Sequence, residues 1–162
     1  MRIENNLLLI SNFKLKNITK EYLSWVNDQS LLKFSRHKNK IYNYKKAISY
    51  FNYNRKKKNL FFIIFNKRDK KNIGTLTLNF KRNNIYNIGI LIDKKYQNKG
   101  LASKVINLFT KNLNFSKNIK YFEIGTNIQH KAMIKVAKKC KFKLSHKNKR
   151  YVYFRKINSY YK

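Results

Sequence analysis

Acid–base chemistry in this 162-residue chain has few side chains to draw on: three histidines and six carboxylates. Glu4 lies near the start, Glu21 on an expected helix, Asp69 in a charged turn and Asp93 at the exit of an expected strand. That leaves Glu123, within a strand, and Asp28, in the segment after the first helix. Among the imidazoles, whose ordinary pKa is about 6.5, His130 precedes an amphipathic helix. Glu123 and His130 are the catalytic candidates, against an ion pair with a lysine for the first and a helix cap for the second. His37, in Ser35-Arg36-His37-Lys38, either lines a site or is loop, and His146 has no evident role. Cys140, the one cysteine, falls on an apolar helical face and reads as core filler.

A second kind of chemistry is made by backbone. Ile88-Gly89-Ile90-Leu91-Ile92 reads as a buried strand, Asp93 to Gly100 as a tight basic loop, and Leu101 or Ala102 opens an amphipathic helix. Gly100 lets the chain approach a ligand closely. The first N–H groups of the helix have no internal partners, and the dipole there favours an anion. This is a phosphate-binding cradle.

The elements that must position these groups alternate α and β. Phe13-Lys14-Leu15 reads as a first strand. Thr19 is placed to cap a helix carrying Tyr22, Leu23 and Val26, and Asn43 to cap a second over about 44–53, with Tyr44, Ala47, Ile48 and Phe51 on one stripe. Leu60 to Phe65, Ile73 to Phe80 and Ile85 to Ile92 form an antiparallel meander, with Gly89 marking a bulge or a close backbone approach. On the helix after the cradle, Leu101, Val105, Phe109 and Leu113 face inward, widened by Ala102, Ile106 and Leu108, while Ser103, Lys104, Asn107 and Lys111 face outward. Tyr121 to Gly125 is a strand and His130 to Lys139 a helix. Phe142 to Leu144 and Tyr151 to Ile157 pair at the end, and 158–162 is a frayed tail. The order is β-α-α-β-β-β-α-β-α-β-β.

Length fits one domain over 1–162. No apolar run approaches the roughly 20 residues of a membrane span, and the first residues lack the pattern of a signal peptide, so the expected setting is cytoplasmic, away from membranes. The net charge of +33, with twelve Tyr and twelve Phe, invites a nucleic-acid-binding module as one reading. Lysine-rich, proline-free and glycine-poor composition is also what translation of an AT-rich genome gives, and the lysines are spread rather than blocked. We read the charge as mostly compositional, favouring anionic small ligands over nucleic acid.

Gln97-Asn98-Lys99-Gly100-Leu101-Ala102 matches the Gln/Arg-x-x-Gly-x-Gly/Ala signature of the GNAT superfamily of N-acetyltransferases, between the strand and helix where that family carries it. Ile92, five residues before Gln97, and the strand-helix-Phe142 ending extend the resemblance. It implies an α/β fold of α+β type: a mixed, mostly antiparallel sheet flanked by helices, forming a single acyl-CoA N-acyltransferase domain. The implied cosubstrate is acetyl-CoA, without a metal. Backbone N–H groups from Asn98 to Ser103, including those of Gly100, Leu101 and Ala102, would bind its pyrophosphate beside Gln97 and Lys99, with Lys104 near phosphate. Ile90, Leu91 and Ile92 would run along the pantetheine arm.

The family's cofactor-contacting asparagine falls at His130, with Asn127 one turn earlier as a substitute. Its thiolate-protonating tyrosine falls at Ala137, and Lys141 replaces a glycine before Phe142. Trp25, Asn27, Asp28, Ser35 and Arg36 resemble the acceptor side of the branch containing ribosomal-protein N-terminal acetyltransferases and nucleotide-amino-sugar N-acetyltransferases. The Trp25 to Ser35 spacing and Ile41 favour the sugar group. The expected acceptor is thus an anionic, nucleotide-linked amino sugar, with a protein N-terminus as the alternative, for a monomer or homodimer.

Overall fold

The computed structural model describes residues 1–35, 37–57, 59–113 and 118–161. Eight strands, β1 (Arg2–Glu4), β2 (Leu8–Asn12), β3 (Leu60–Asn66), β4 (Lys71–Phe80), β5 (Ile85–Ile92), β6 (Tyr121–Asn127), β7 (Lys143–Lys147) and β8 (Tyr151–Ile157), form one sheet in the order β1-β2-β3-β4-β5-β6-β8-β7. Among the described residues only β5 and β6 pair in parallel. Four helices cover it: α1 (Lys20–Asn27), α2 (Tyr44–Lys56), α3 (Leu101–Lys111) and α4 (Lys131–Lys139). None is long and apolar enough to cross a membrane.

Alternation along the strands sends side chains to two separate cores. On β3, Phe62 and Ile64 enter the core under α3 and α4, where Phe62 meets Phe109 edge-on at 5.0 Å. Phe61 and Ile63 turn the other way, and Phe61 stacks on Phe13 at 4.1 Å beneath α1 and α2. Both caps expected for these helices form: Thr19 Oγ accepts from Tyr22 N (3.2 Å), and Asn43 Oδ1 from Lys46 N (2.9 Å).

Several expectations are corrected. The first strand lies earlier than Phe13-Lys14-Leu15: β2 is sandwiched between β1 and β3, while Leu15–Asn17 is a 3-10 turn and Phe13 a core anchor. Burial of Leu8 and Ile10 within a continuous apolar run hid the alternation. Gly89 is not bulged, since the β4–β5 register runs unbroken from Gly74↔Ile92 to Phe80↔Tyr86; the irregularity falls between Ile64 and Phe65 of β3. Gly89 instead marks a close approach, as a Cβ there would come within 2.5 Å of Thr77 Oγ1. Ser103 is buried rather than outward, its carbonyl accepting from Cys140 Sγ at 3.5 Å. The tail is tied down: Asn158 is buried and donates to Ile119 O (2.9 Å), and Tyr160 Oη donates to Lys111 O (2.8 Å).

The turn after α4 forms with lysine in the glycine position. Phe142 N donates to Ala137 O and Lys141 N to Lys138 O, the two bonds of a Schellman motif, with Lys141 at φ 62°.

Candidate active site

The parallel ladder between β5 and β6 is only three rungs long: Ile85↔Tyr121, Tyr86↔Phe122 and Asn87↔Glu123. Above Asn87 the strands part. Every second residue of Ile88–Ile92 then turns its N–H and C=O towards the gap instead of a neighbouring strand. A cavity of about 550 Å³ opens there, floored by Gly89 and Gly125 and walled by residues from α1, α2 and the segment between them.

On the β5 side the chain turns at once into the cradle. Asp93 caps the short turn Lys94–Tyr96 by accepting from Lys95 N (3.1 Å), and Gln97 Nε2 reaches back to Ile92 O (3.0 Å), fixing the loop to the strand end. Asn98 (φ 59°) and Gly100 (φ 69°) are left-handed, and Gly100 precedes α3 with no side chain capping the helix start. Leu101 and Ser103 have buried side chains, so what they offer a ligand is backbone N–H. Lys99 Nζ lies 5.5 Å from the Tyr96 ring centre. An uncapped helix start next to an unpaired strand edge fits a molecule with phosphates at one end and an amide-bearing arm at the other, as coenzyme A is.

On the β6 side, Asn127 Oδ1 accepts from Gln129 N (2.8 Å), shaping the turn into α4. His130 stands at the α4 start without capping it; its Nδ1 lies 3.1 Å from Thr126 Oγ1 and its ring stacks on Phe34 at 4.6 Å. No other hydrogen bond engages this imidazole among the described residues, so Nε2 is available. Burial pushes its pKa below the ordinary value, keeping the ring neutral.

Glu123, by contrast, is fully buried, with Oε1 2.6 Å from Lys81 Nζ and Oε2 2.9 Å from Arg155 Nε. Burial raises its pKa, but the two hydrogen-bonded cations more than offset this and hold it below the carboxylate norm. A side chain this enclosed, with a cation on each oxygen, is out of a substrate's reach, which counts against its place among the catalytic candidates: it is the counter-ion of the last rung.

The acceptor-side candidates disperse. Trp25 is only 3% exposed, inside the core with Tyr22 and Phe51, so it touches no ligand. Asn27 brackets the Tyr42 backbone, donating to its carbonyl (2.8 Å) and accepting from its N–H (2.7 Å). Asp28 accepts from Ser30 N (2.9 Å) and Leu31 N (3.2 Å) and pairs with Lys94 (2.6 Å), tying the acceptor segment to the cradle turn. The Lys94 contact, then Ser30, holds its pKa far below normal. Ser35 lines the cavity and accepts from His37 N (3.0 Å). Arg36 lies outside the described residues.

What the sequence reading missed is the aromatic wall. His37 Nδ1 lies 2.9 Å from Tyr42 Oη, and the His37 and Tyr42 rings both meet Tyr50 edge-on, at 5.4 and 5.9 Å. Tyr50 in turn meets Phe61 at 6.0 Å. Burial, then nearby Lys40, pushes the His37 pKa down. Tyr50, Tyr53 and Asn54 sit at i, i+3 and i+4 of α2, a second stripe beside the apolar one and the signal that could have revealed this wall. No carboxylate is among the described residues lining the cavity, and its one ammonium is that of Lys81.

Residues 8–143 match the family model described as an acetyltransferase (GNAT) domain. A comparison with curated proteins finds no match. Among solved structures, the ribosomal-protein α-N-acetyltransferase RimL with coenzyme A aligns at TM-score 0.85 and 13% identity, covering 99% of both chains. The Vibrio cholerae spermidine N-acetyltransferase with coenzyme A and spermine aligns at 0.80 and 14%, over 97% of this chain and 99% of that one. A microcin self-immunity acetyltransferase with acetyl-CoA and AMP aligns at 0.78 and 20%, over 94% and 93%. At these identities the structural likeness speaks for the fold.

Proposed function

The chain belongs to the GNAT acetyltransferases, acetyl-CoA-dependent N-acetyltransferases, and on that premise we propose that its acceptor is the amine of an anionic, nucleotide-linked amino sugar. The observation that carries this is the cavity wall: rings from Phe34, Tyr42, Tyr50 and Phe61, and no carboxylate among the described lining residues. A planar base gains roughly 1–3 kcal/mol by stacking on such a surface. A polyamine would bring ammonium groups into a wall that offers them no counter-ion, only Lys81. A basic protein substrate would also meet the repulsion of a chain with net charge +33. A structural relative was solved with AMP as well as acetyl-CoA, so a protein of this fold can hold a nucleotide beside the cosubstrate.

Acetyl-CoA supplies the activated acyl carbon. The N–H groups from Asn98 to Ser103 would hold its phosphates, Gln97 keeps the cradle in register with β5, and Ile90, Leu91 and Ile92 would align the arm and offer the acyl group a main-chain N–H. His130 would take the amine proton at Nε2, in the tautomer whose Nδ1–H donates to Thr126 Oγ1. The new C–N bond would replace the C–S bond as coenzyme A leaves as a thiolate that water protonates, Ala137 having no proton to give. Its neutral form makes that transfer available at pH 7.

The test is thiol release from acetyl-CoA with nucleotide-linked amino sugars, polyamines and peptides as acceptors. Turnover with the first group supports the reading. Preference for polyamines or for peptides carrying ribosomal-protein N-termini would replace it with the corresponding alternative.

A further inference from the structure

A second recess, of about 340 Å³, lies at the opposite end of α3 and α4 from the cradle. The cradle is at the first residue of α3, and this recess is lined by Thr110 and Lys111 at its last turn, about 14–15 Å away at 1.5 Å per residue. The remaining walls include Phe122 of β6, Lys139 at the end of α4, Lys141 and Lys156. Four lysines converge there with no carboxylate among the lining residues, and none of the four has an ion-pair partner among the described residues.

Helix chemistry explains two of them. Lys111 and Lys139 sit in the last turns of α3 and α4, where a cation complements the helix dipole. It does not explain Lys141, which occupies the left-handed Schellman position that glycine fills without strain. Nor does it explain Lys156, a partly buried residue whose ammonium has only the neutral Thr110 Oγ1, at 3.5 Å, as a hydrogen-bond partner, with the Phe142 ring 5.8 Å away. A lysine kept at a left-handed position and a second whose one hydrogen-bond partner is a neutral hydroxyl line the same recess, and both leave ammonium donors free for an anion.

We propose that this recess binds a small, multiply charged anion bearing phosphate groups, independently of the acetyl-CoA cradle. Phe122 gives it one apolar wall, and its volume suits a compact metabolite rather than a polymer.

The experiment titrates the full chain with inorganic pyrophosphate by calorimetry in saturating coenzyme A, so that the cradle is filled. Saturable one-site binding is expected. Lys141→Gly relieves the left-handed strain, so it raises Tm by about 3 °C while weakening pyrophosphate by roughly tenfold. Lys156→Met weakens it similarly, while coenzyme A affinity stays at the parent value in both. A Lys141→Gly protein that is more stable yet binds pyrophosphate as tightly as the parent would overturn the proposal, as would absence of saturable binding. A single-stranded oligonucleotide arm separates the sources of phosphate. Binding tighter than pyrophosphate, with a steep salt slope and the same dependence on Lys141 and Lys156, would assign the recess to nucleic acid and overturn the small-molecule site. Loss of acetyl-CoA turnover does not bear on any of these readouts.

Discussion

On the β5–α3 side of the gap, the groups that face a ligand are peptide N–H and C=O, held by Gln97 and by the left-handed turns at Asn98 and Gly100. On the α1–α2 side they are rings, brought together from positions as far apart as Tyr22, His37, Tyr50 and Phe61 and braced by the Asn27 bracket on Tyr42. The first wall is one continuous stretch whose conformation is its function. The second is an assembly of side chains whose function depends on how three segments pack. The donor wall should therefore tolerate small neutral changes of side chain and fail where a substitution sets a negative charge against its main chain, whereas the acceptor wall should fail when its rings are exchanged.

The sharpest break is Gly100→Glu. A Cβ at this position meets nothing within 4 Å, so Gly100→Ala costs only the left-handed strain, about 1 kcal/mol. The glutamate adds a negative charge beside the phosphates, and we expect coenzyme A affinity to fall by roughly a thousandfold through like-charge repulsion, with an unchanged circular-dichroism spectrum. Equal affinity in the variant would remove the cradle from the donor wall.

His130→Gln tests the junction of the two walls. Turnover should drop by about a hundredfold with coenzyme A affinity retained. In the parent, activity requires neutral His130, so turnover is lost as pH falls, and because burial lowers the pKa, that loss begins below the ordinary imidazole range. The same sign governs stability: the neutral buried ring contributes fully above the unfolded pKa of about 6.5, and its contribution is lost as pH falls towards the folded value. A turnover profile that breaks above that range would point to another base.

Glu123→Gln separates structure from chemistry. It leaves Lys81 and Arg155 without their shared counter-ion, and since their side chains are 37% and 32% exposed, water recovers part of the loss. The expected cost is about 2 kcal/mol in denaturant unfolding, with turnover per folded molecule close to the parent's. The smallest effect belongs to Asp28→Asn, which removes the exposed bridge to Lys94: less than about 1 kcal/mol of stability, and a rise of a few-fold in acceptor KM alone. A matching loss of coenzyme A affinity would show the walls to be more tightly coupled than one surface ion pair implies.

How much of this was legible follows the same division. The cradle, the capped helices and the strand-helix order stand in local spacing, because each depends on residues within one turn or one strand of each other. The acceptor wall depends on contacts across the chain. Trp25 looked like a ligand-facing aromatic but fills the core, and Glu123 looked like an available base because its partners, Lys81 and Arg155, lie 42 and 32 residues away. Phe34 and His130 meet only once α4 is docked on the sheet. The β2 strand was obscured for a different reason: its burial alternates, but Leu7-Leu8-Leu9-Ile10 are all apolar, so the period of two does not show in residue type.

The glycines draw the site by subtraction. In a chain with 39 Lys and Arg and only four glycines, all four stand between β4 and β6: Gly74, Gly89, Gly100 and Gly125. At Gly74 a methyl group would run into the Leu91 carbonyl, at Gly89 into Thr77 Oγ1, and at Gly125 into the Tyr153 ring 2.7 Å away. Gly89 and Gly125 each lie two residues beyond the last rung of the parallel ladder, so the fork between β5 and β6 is floored by bare main chain from both sides. Where nearly every other position has gained a side chain, the places that have none outline the space a substrate must enter.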